Sequence, residues 1–222
     1  MDRRDPEDPL VRQEVRQFCD HVFQLKLTHH IYRELYEDEH AKYLMEKTAH
    51  HFFFDIGNMV IDYLLLEIVK LSDPAQSFGG RRENFSIANL LETVAWPEDF
   101  LAVINPMLAK VNKFREYIQD ARNRLLAHYD KETVLAKLPV GGFPPGADEE
   151  VVATLEAMAN AFHKASHGEI LGHFVTFHEG DVTDLKKALR MAIAFDDMFT
   201  SAADTEVYRL AGILQRVDDE AI

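Results

Sequence analysis

The sequence predicts an all-α fold, a bundle of about six to seven helices joined by short links. Three observations carry this. Apolar residues recur at spacings of three and four almost throughout, the period of a helix with one buried face. Alternating runs of β-branched residues bounded by turns are almost absent. Glycine and proline are few, ten and eight in 222 residues, and mostly clustered, so long helices can run uninterrupted. Such helices bury their apolar faces most simply against one another.

Val11, Val15, Phe18, Val22 and Leu25 recur at four and three, which predicts a helix from near Pro9 through Ile31 and Leu35 to about residues 37–39. A second, very apolar helix is predicted over residues 41–71. Phe52, Ile56, Met59, Tyr63 and Leu66 mark one side of it, with Phe53, Val60, Leu64 and Ile68 beside them. Its polar exceptions, His51, Asp55, Asn58 and Asp62, fall within about 60° of one another at 100° per residue. That stripe is either a solvent-facing edge or the polar lining of a cleft. LSDPAQSFGGRRENFS then reads as loop, and Ser86 as the cap of a short helix through Leu91. Pro97 begins or interrupts the next element. Asn105-Pro106 reads as an N-cap with proline at the first helical position, opening a helix that carries ARNRLLAHYD, residues 121–130. LPVGGFPPGADEE, from Leu138, reads as a connector between helices within one domain of residues 1–222. Further amphipathic segments lie near residues 149–167, 183–200 and 205–217.

Composition bounds the function. The chain is 47% hydrophobic and 28% charged, a globular balance. Its one cysteine, Cys19, excludes an internal disulfide and a Cys-rich zinc site. MDRRDPEDPL has no apolar core of a signal peptide, and no apolar run reaches the roughly 18 residues of a membrane span. A cytoplasmic protein with no membrane partner is expected. The net charge of −14 repels nucleic acid over most of the surface. The stretch from Met107 to Lys137 differs, with seven Lys/Arg against four Asp/Glu, hence +3, leaving −17 elsewhere. If phosphate meets this chain, the field favours that stretch.

Within it, the helix through residue 121 has an apolar stripe. With Leu108 at 0°, Val111, Ile118, Leu125 and Phe114 fall at about −60° to −120°. Arg122 lands near about −40° and His128 near about −160°, on opposite borders of the stripe, with Asn123 near about +60°. Arg122 and His128 are about 9 Å apart along one straight helix. A cleft lined by several helices, or a twofold partner presenting the same stretch antiparallel, would bring a guanidinium and an imidazole to one atom. Those groups suit cleavage of RNA by its own 2′-hydroxyl. Histidine moves a proton near neutral pH, arginine stabilises the crowded phosphorane, and asparagine orients either. No metal or other cofactor is required. Arg16 with His21 and Arg33 with His40 have similar spacing, so spacing alone leaves open a bland reading, with the arginines solvated and His128 at a helix C-terminus.

Arg122-Asn123-Arg124-Leu125-Leu126-Ala127-His128 resembles the HEPN motif, an Arg, a polar residue, three to five more residues and a His. Leu71-Ser72-Asp73-Pro74-Ala75, Gly79-Gly80 and Glu83-Asn84-Phe85-Ser86 add a second point of similarity. A long helix, this Asp-Pro loop and the motif helix together resemble the AbiU-type branch of HEPN proteins, which is associated with abortive infection, a bacterial defence against phage. The likeness covers residues 10–137, with residues 148–218 as further helices of the same domain. It implies a helical bundle, a homodimer with the motif at its interface, and metal-independent endoribonuclease activity on an RNA substrate. By position, Arg122 stabilises the phosphate, Asn123 is the polar helper and His128 transfers the proton. Products with a 2′,3′-cyclic phosphate are implied, as is an antitoxin or regulatory protein partner.

Two other classes stay open on the residues. His163 and His167 are four apart in HKASH, with Glu169 and His173 nearby, a spacing that could begin a metal site. Alternatively the chain is a catalytically silent dimerisation module of a toxin–antitoxin or defence system, or equally a HEPN protein regulated or neutralised by a partner nucleotidyltransferase, with Tyr129 beside the motif as the modification target.

Overall fold

The computed structural model describes residues 3–77, 79–121, 142–171, 180–201, 209 and 211–213. Among them the all-α expectation holds. The helices are α1 (Pro9–Tyr36), α2 (Glu39–Leu71), α3 (Ile87–Thr93), α4 (Glu98–Ala121), α5 (Ala147–His167) and α6 (Val182–Ser201). One small antiparallel hairpin, β1 (Gln76–Ser77) with β2 (Arg82–Glu83), lies in the stretch expected to be loop. Two residues per strand are too few for an alternating pattern to register in the sequence. Gly79 and Gly80, at φ of 64° and 85°, supply the left-handed backbone that its turn requires.

The chain divides into two compact units, Met1–His30 with Asn58–Thr176, and Ile31–Gly57 with Phe177–Ile222. In the first unit, α1 opens at Pro9, and Asp8 Oδ1 accepts the Leu10 N–H at 2.8 Å. The predicted face is the observed one: Val11, Val15, Phe18, Val22 and Leu25 are all buried. Ser86 caps α3 as expected, its hydroxyl accepting from the Asn89 N–H at 3.3 Å. Behind it Trp96 Nε1–H donates to the Leu90 carbonyl at 2.8 Å. Trp96, Phe100 and Phe18 then surround Phe162 of α5, with ring centroids 5.1 to 5.4 Å from its own. Offset and edge contacts of this kind add to area burial.

Pro106 corrects the sequence reading. It does not open a helix; it lies inside α4, which starts at Glu98 just after Pro97. The proline removes the N–H that would bond the Ala102 carbonyl. Ala102, Asn105 and Pro106 all face solvent, where water can take up that carbonyl, whereas Ile104 on the other face is fully buried. The helix is held by its buried face and carries the defect on its wet one.

Cys19 is buried, with Sγ 3.6 Å from the Ala159 carbonyl. Burial first, and then the neighbouring Asp20 carboxylate, push the thiol up to about 12. A thiolate-selective reagent such as iodoacetamide is therefore expected to leave native Cys19 unmodified at pH 8 and to label it at the rate of unfolding. Rapid labelling of folded protein, read by mass spectrometry, would contradict that packing.

In the second unit Leu35, Met45, Phe53 and Val182 form a small core, with Ile31, Tyr36, Leu185 and Leu189 packed on it. Tyr36 donates its hydroxyl to the Phe53 carbonyl at 2.8 Å. Its ring lies so close to Gly57 that a Cβ there would sit 2.7 Å from Tyr36 Cε1. Lys186 is buried but paired, its Nζ 2.6 Å from Glu34 and 3.5 Å from Asp38. α2 breaks helical geometry at Ala49 (φ −149°, ψ 61°). The preceding Thr48 donates its hydroxyl to the Leu44 carbonyl at 2.8 Å, a back-bond that bends helices.

The polar stripe of α2 is solvent-facing: His51, Asp55, Asn58 and Asp62 are all exposed. Of its two apolar rows, the one with Phe53, Leu64 and Ile68 is buried, whereas Phe52 (60% exposed) and Met59 (63%) stand out in water.

Candidate functional site

Arg122, Asn123 and His128 lie outside the described residues, as does Tyr129. The helix that leads to them is described up to Ala121, the residue before Arg122. Its predicted stripe is present as far as it is described: Val111, Phe114 and Ile118 are buried, with Ile104 extending the row, and Leu125 lies outside the described residues. α4 packs this face in part against α5, whose Val151, Leu155 and Met158 are also buried.

What braces α4 was not visible in the sequence. Arg115 reaches the Asp-Pro loop with two bonds, Nη1 donating to the Ser72 carbonyl and Nη2 to Asp73 Oδ1, each at 2.9 Å. Asn84 closes the same loop from its far end. Its Nδ2 donates to the Pro74 carbonyl and its backbone N–H to the Ala75 carbonyl, both at 2.8 Å. The two separated stretches of family likeness, 71–75 and 83–86, are thus one folded loop. That loop grips α4 at Arg115, seven residues before Arg122 in the sequence. Arg115→Ala is expected to cost about 1.5–3 kcal/mol, since it strips a charge-assisted bond and a carbonyl partner from a half-buried site. Chemical denaturation measures this; a loss below about 0.5 kcal/mol, the range of an ordinary surface change, would show that the loop does not brace α4.

Beside this helix lies a cleft of about 390 Å³, lined by Lys110, Lys113, Phe114 and Tyr117 of α4 and by Pro144, Pro145 and the start of α5. Ligand clefts run to roughly 300–1,000 Å³, so it suits one small group. Lys110 is paired with Glu150 at 2.9 Å, and that hydrogen bond, ahead of the Lys110 and Lys113 charges, holds the Glu150 carboxyl below its ordinary range. Chemically, the cleft offers the Tyr117 ring and the Lys113 ammonium, with Lys110 held by Glu150, and a cation beside a ring is what meets a single-stranded phosphodiester and stacks a base.

The histidine pair is ordered but not as a metal centre. The His163 and His167 rings are parallel, with centroids 4.2 Å apart. Arg16 Nε–H donates to His167 Nε2 at 3.2 Å, which occupies that lone pair and places a guanidinium where a cation would sit. Among the described residues no three His, Cys, Asp or Glu side chains are grouped to hold a metal ion. His173 lies outside the described residues. Among the described residues, no helix is long and apolar enough to cross a membrane.

An all-helical fold carrying an Arg-Asn-x4-His stretch after a braced helix defines a HEPN-type protein. A family model, HEPN_AbiU2 (AbiU2), matches residues 10–169, and the chain belongs to this AbiU2 family. The match extends past residue 137, the end of the likeness seen in the sequence, and takes in all of α5. Neither the curated proteins nor the solved structures yield a match.

Proposed function

We propose that this chain is a metal-independent endoribonuclease of the HEPN type, acting in abortive infection, a phage defence. The observation that carries the reading is the stretch Arg122-Asn123-(x4)-His128, which falls inside the matched family region, residues 10–169. His128 takes the proton from the RNA 2′-hydroxyl as it attacks the adjacent phosphorus. Arg122 offsets the charge that builds on the nonbridging oxygens, and Asn123 orients the phosphate or the imidazole. The 5′-oxygen leaves and takes a proton from water, giving a 2′,3′-cyclic phosphate and a 5′-hydroxyl, and His128 returns its proton to the solvent. On one straight helix a six-residue step would hold Arg122 and His128 about 9 Å apart, which favours a composite site, with each residue drawn from a different protomer of a homodimer. The Lys110–Lys113 cleft supports an RNA substrate by offering a cation and a ring on the helix that precedes the motif in the sequence.

The test is incubation of purified wild type, Arg122→Ala and His128→Ala with RNA in the presence of EDTA. Cleavage by wild type alone supports the proposal. A second reading, a catalytically silent dimerisation module held with an antitoxin or regulatory protein, is favoured by the net charge of −14. A folded dimer that cleaves no RNA under any condition would select it.

A further inference from the structure

We propose that Arg12 and Arg16 of α1, with His163 and His167 of α5, form a phosphate-binding site apart from the motif. Each pair is four residues apart, so each presents two side chains on one face of its helix. Both faces belong to the first compact unit, and they meet.

The hydrogen bonds assign the protons. Arg16 can only donate, so its 3.2 Å contact makes His167 Nε2 an acceptor and leaves the ring proton on Nδ1. That Nδ1–H donates to Ser166 Oγ at 2.7 Å, and the Ser166 hydroxyl donates to the Phe162 carbonyl at 2.9 Å. His163 Nδ1 lies 2.9 Å from the Glu169 carbonyl and is likewise the protonated nitrogen. Arg12 Nε–H donates to the Ser166 carbonyl at 2.9 Å, covering the negative end of α5 that would otherwise oppose an anion. Both guanidinium groups are therefore positioned through Nε.

The charge is unbalanced. The carboxylate against the two arginines among the described residues is Glu7, 3.5 Å from Arg12 Nη2 and 77% exposed. Arg16 has an imidazole as its partner, where a carboxylate would be the ordinary choice on a chain of net charge −14. A phosphate is a better acceptor than an imidazole lone pair. It would take the guanidinium donors of both arginines and free His167 Nε2 to bind a proton and donate in turn. Burial, then His163, Arg16 and Arg12, hold His167 below its ordinary value in the anion-free state; a bound dianion opposes the last three.

The test follows the His167 ring proton by NMR through a pH titration of the full chain, in sodium chloride and in inorganic phosphate at equal ionic strength. The His167 midpoint is expected to rise by about one unit in phosphate. Arg16→Gln, an exposed position outside the core, is expected to abolish the rise, and Arg16→Lys to keep part of it. A second arm uses the His128→Ala chain and a short RNA carrying either a terminal phosphate or a hydroxyl. An Arg16-dependent preference of about tenfold for the phosphorylated end would identify RNA as the source. A response confined to inorganic phosphate would identify a free anion, and either response supports the site. If His167 titrates alike in both salts and neither arm depends on Arg16, the proposal is overturned. Ribonuclease activity enters neither readout, so failure of the nuclease reading would leave this result standing.

Discussion

RNA cleavage is expected to fall by about 10²–10⁴-fold in His128→Ala, the usual contribution of a positioned proton-transfer group. Arg122→Ala is expected to lose a comparable amount, because no solvent cation replaces a fixed guanidinium at the phosphorane. EDTA should change neither the wild type nor the variants. Arg122→Lys should rescue little, since a point charge lacks the planar fork that meets two phosphate oxygens at once. The composite arrangement has its own signature. If each site draws Arg122 from one protomer and His128 from the other, a mixed dimer of the two inactive variants regains one intact site. Random mixing then restores about a quarter of wild-type turnover. Sites contained within one chain would restore none. Unchanged turnover in either single variant would remove the motif from the reaction.

The largest stability effect is expected at Phe162→Ala, about 3–5 kcal/mol. Phe162 is fully buried on α5 and faces the rings of Phe18, Trp96 and Phe100. Those neighbours come from α1, α4 and the segment before α4, so a cavity there loosens three parts of the first unit together. Urea unfolding should show a lower midpoint with an unchanged slope. Phe52→Ala is the matched control. The same atoms are deleted, but Phe52 is 60% exposed, and the change should stay within about 0.5 kcal/mol. Equal losses at both positions would mean that the aromatic cluster is not the centre of the core.

Much of the fold was legible because helices declare themselves locally. The three- and four-residue spacing from Val11 to Leu25 marked the buried face of α1, and the same spacing marked that of α4. Ser86 announced its helix through a single capping bond. Pro106 misled because its local chemistry suits a helix start equally well. Whether a helix runs through a proline depends on which face the missing bond falls on, and that is settled by packing. Of the candidate site, the motif residues could be named from their order alone. Arg115 could not, because its partner Asp73 lies in a loop 42 residues earlier in the chain.

By itself the sequence determined the helical class, the face that α1 and α4 would bury, and the family motif, since each is written in residues within a few turns of one another. Only the tertiary structure decided which apolar row of α2 is covered, that Arg115 braces α4, and that Arg12 and Arg16 meet the Ser166 carbonyl and His167 across about 150 residues of chain. The reason is physical: periodicity defines a face on a helix, but the identity of the face opposite it is a property of the packed chain alone.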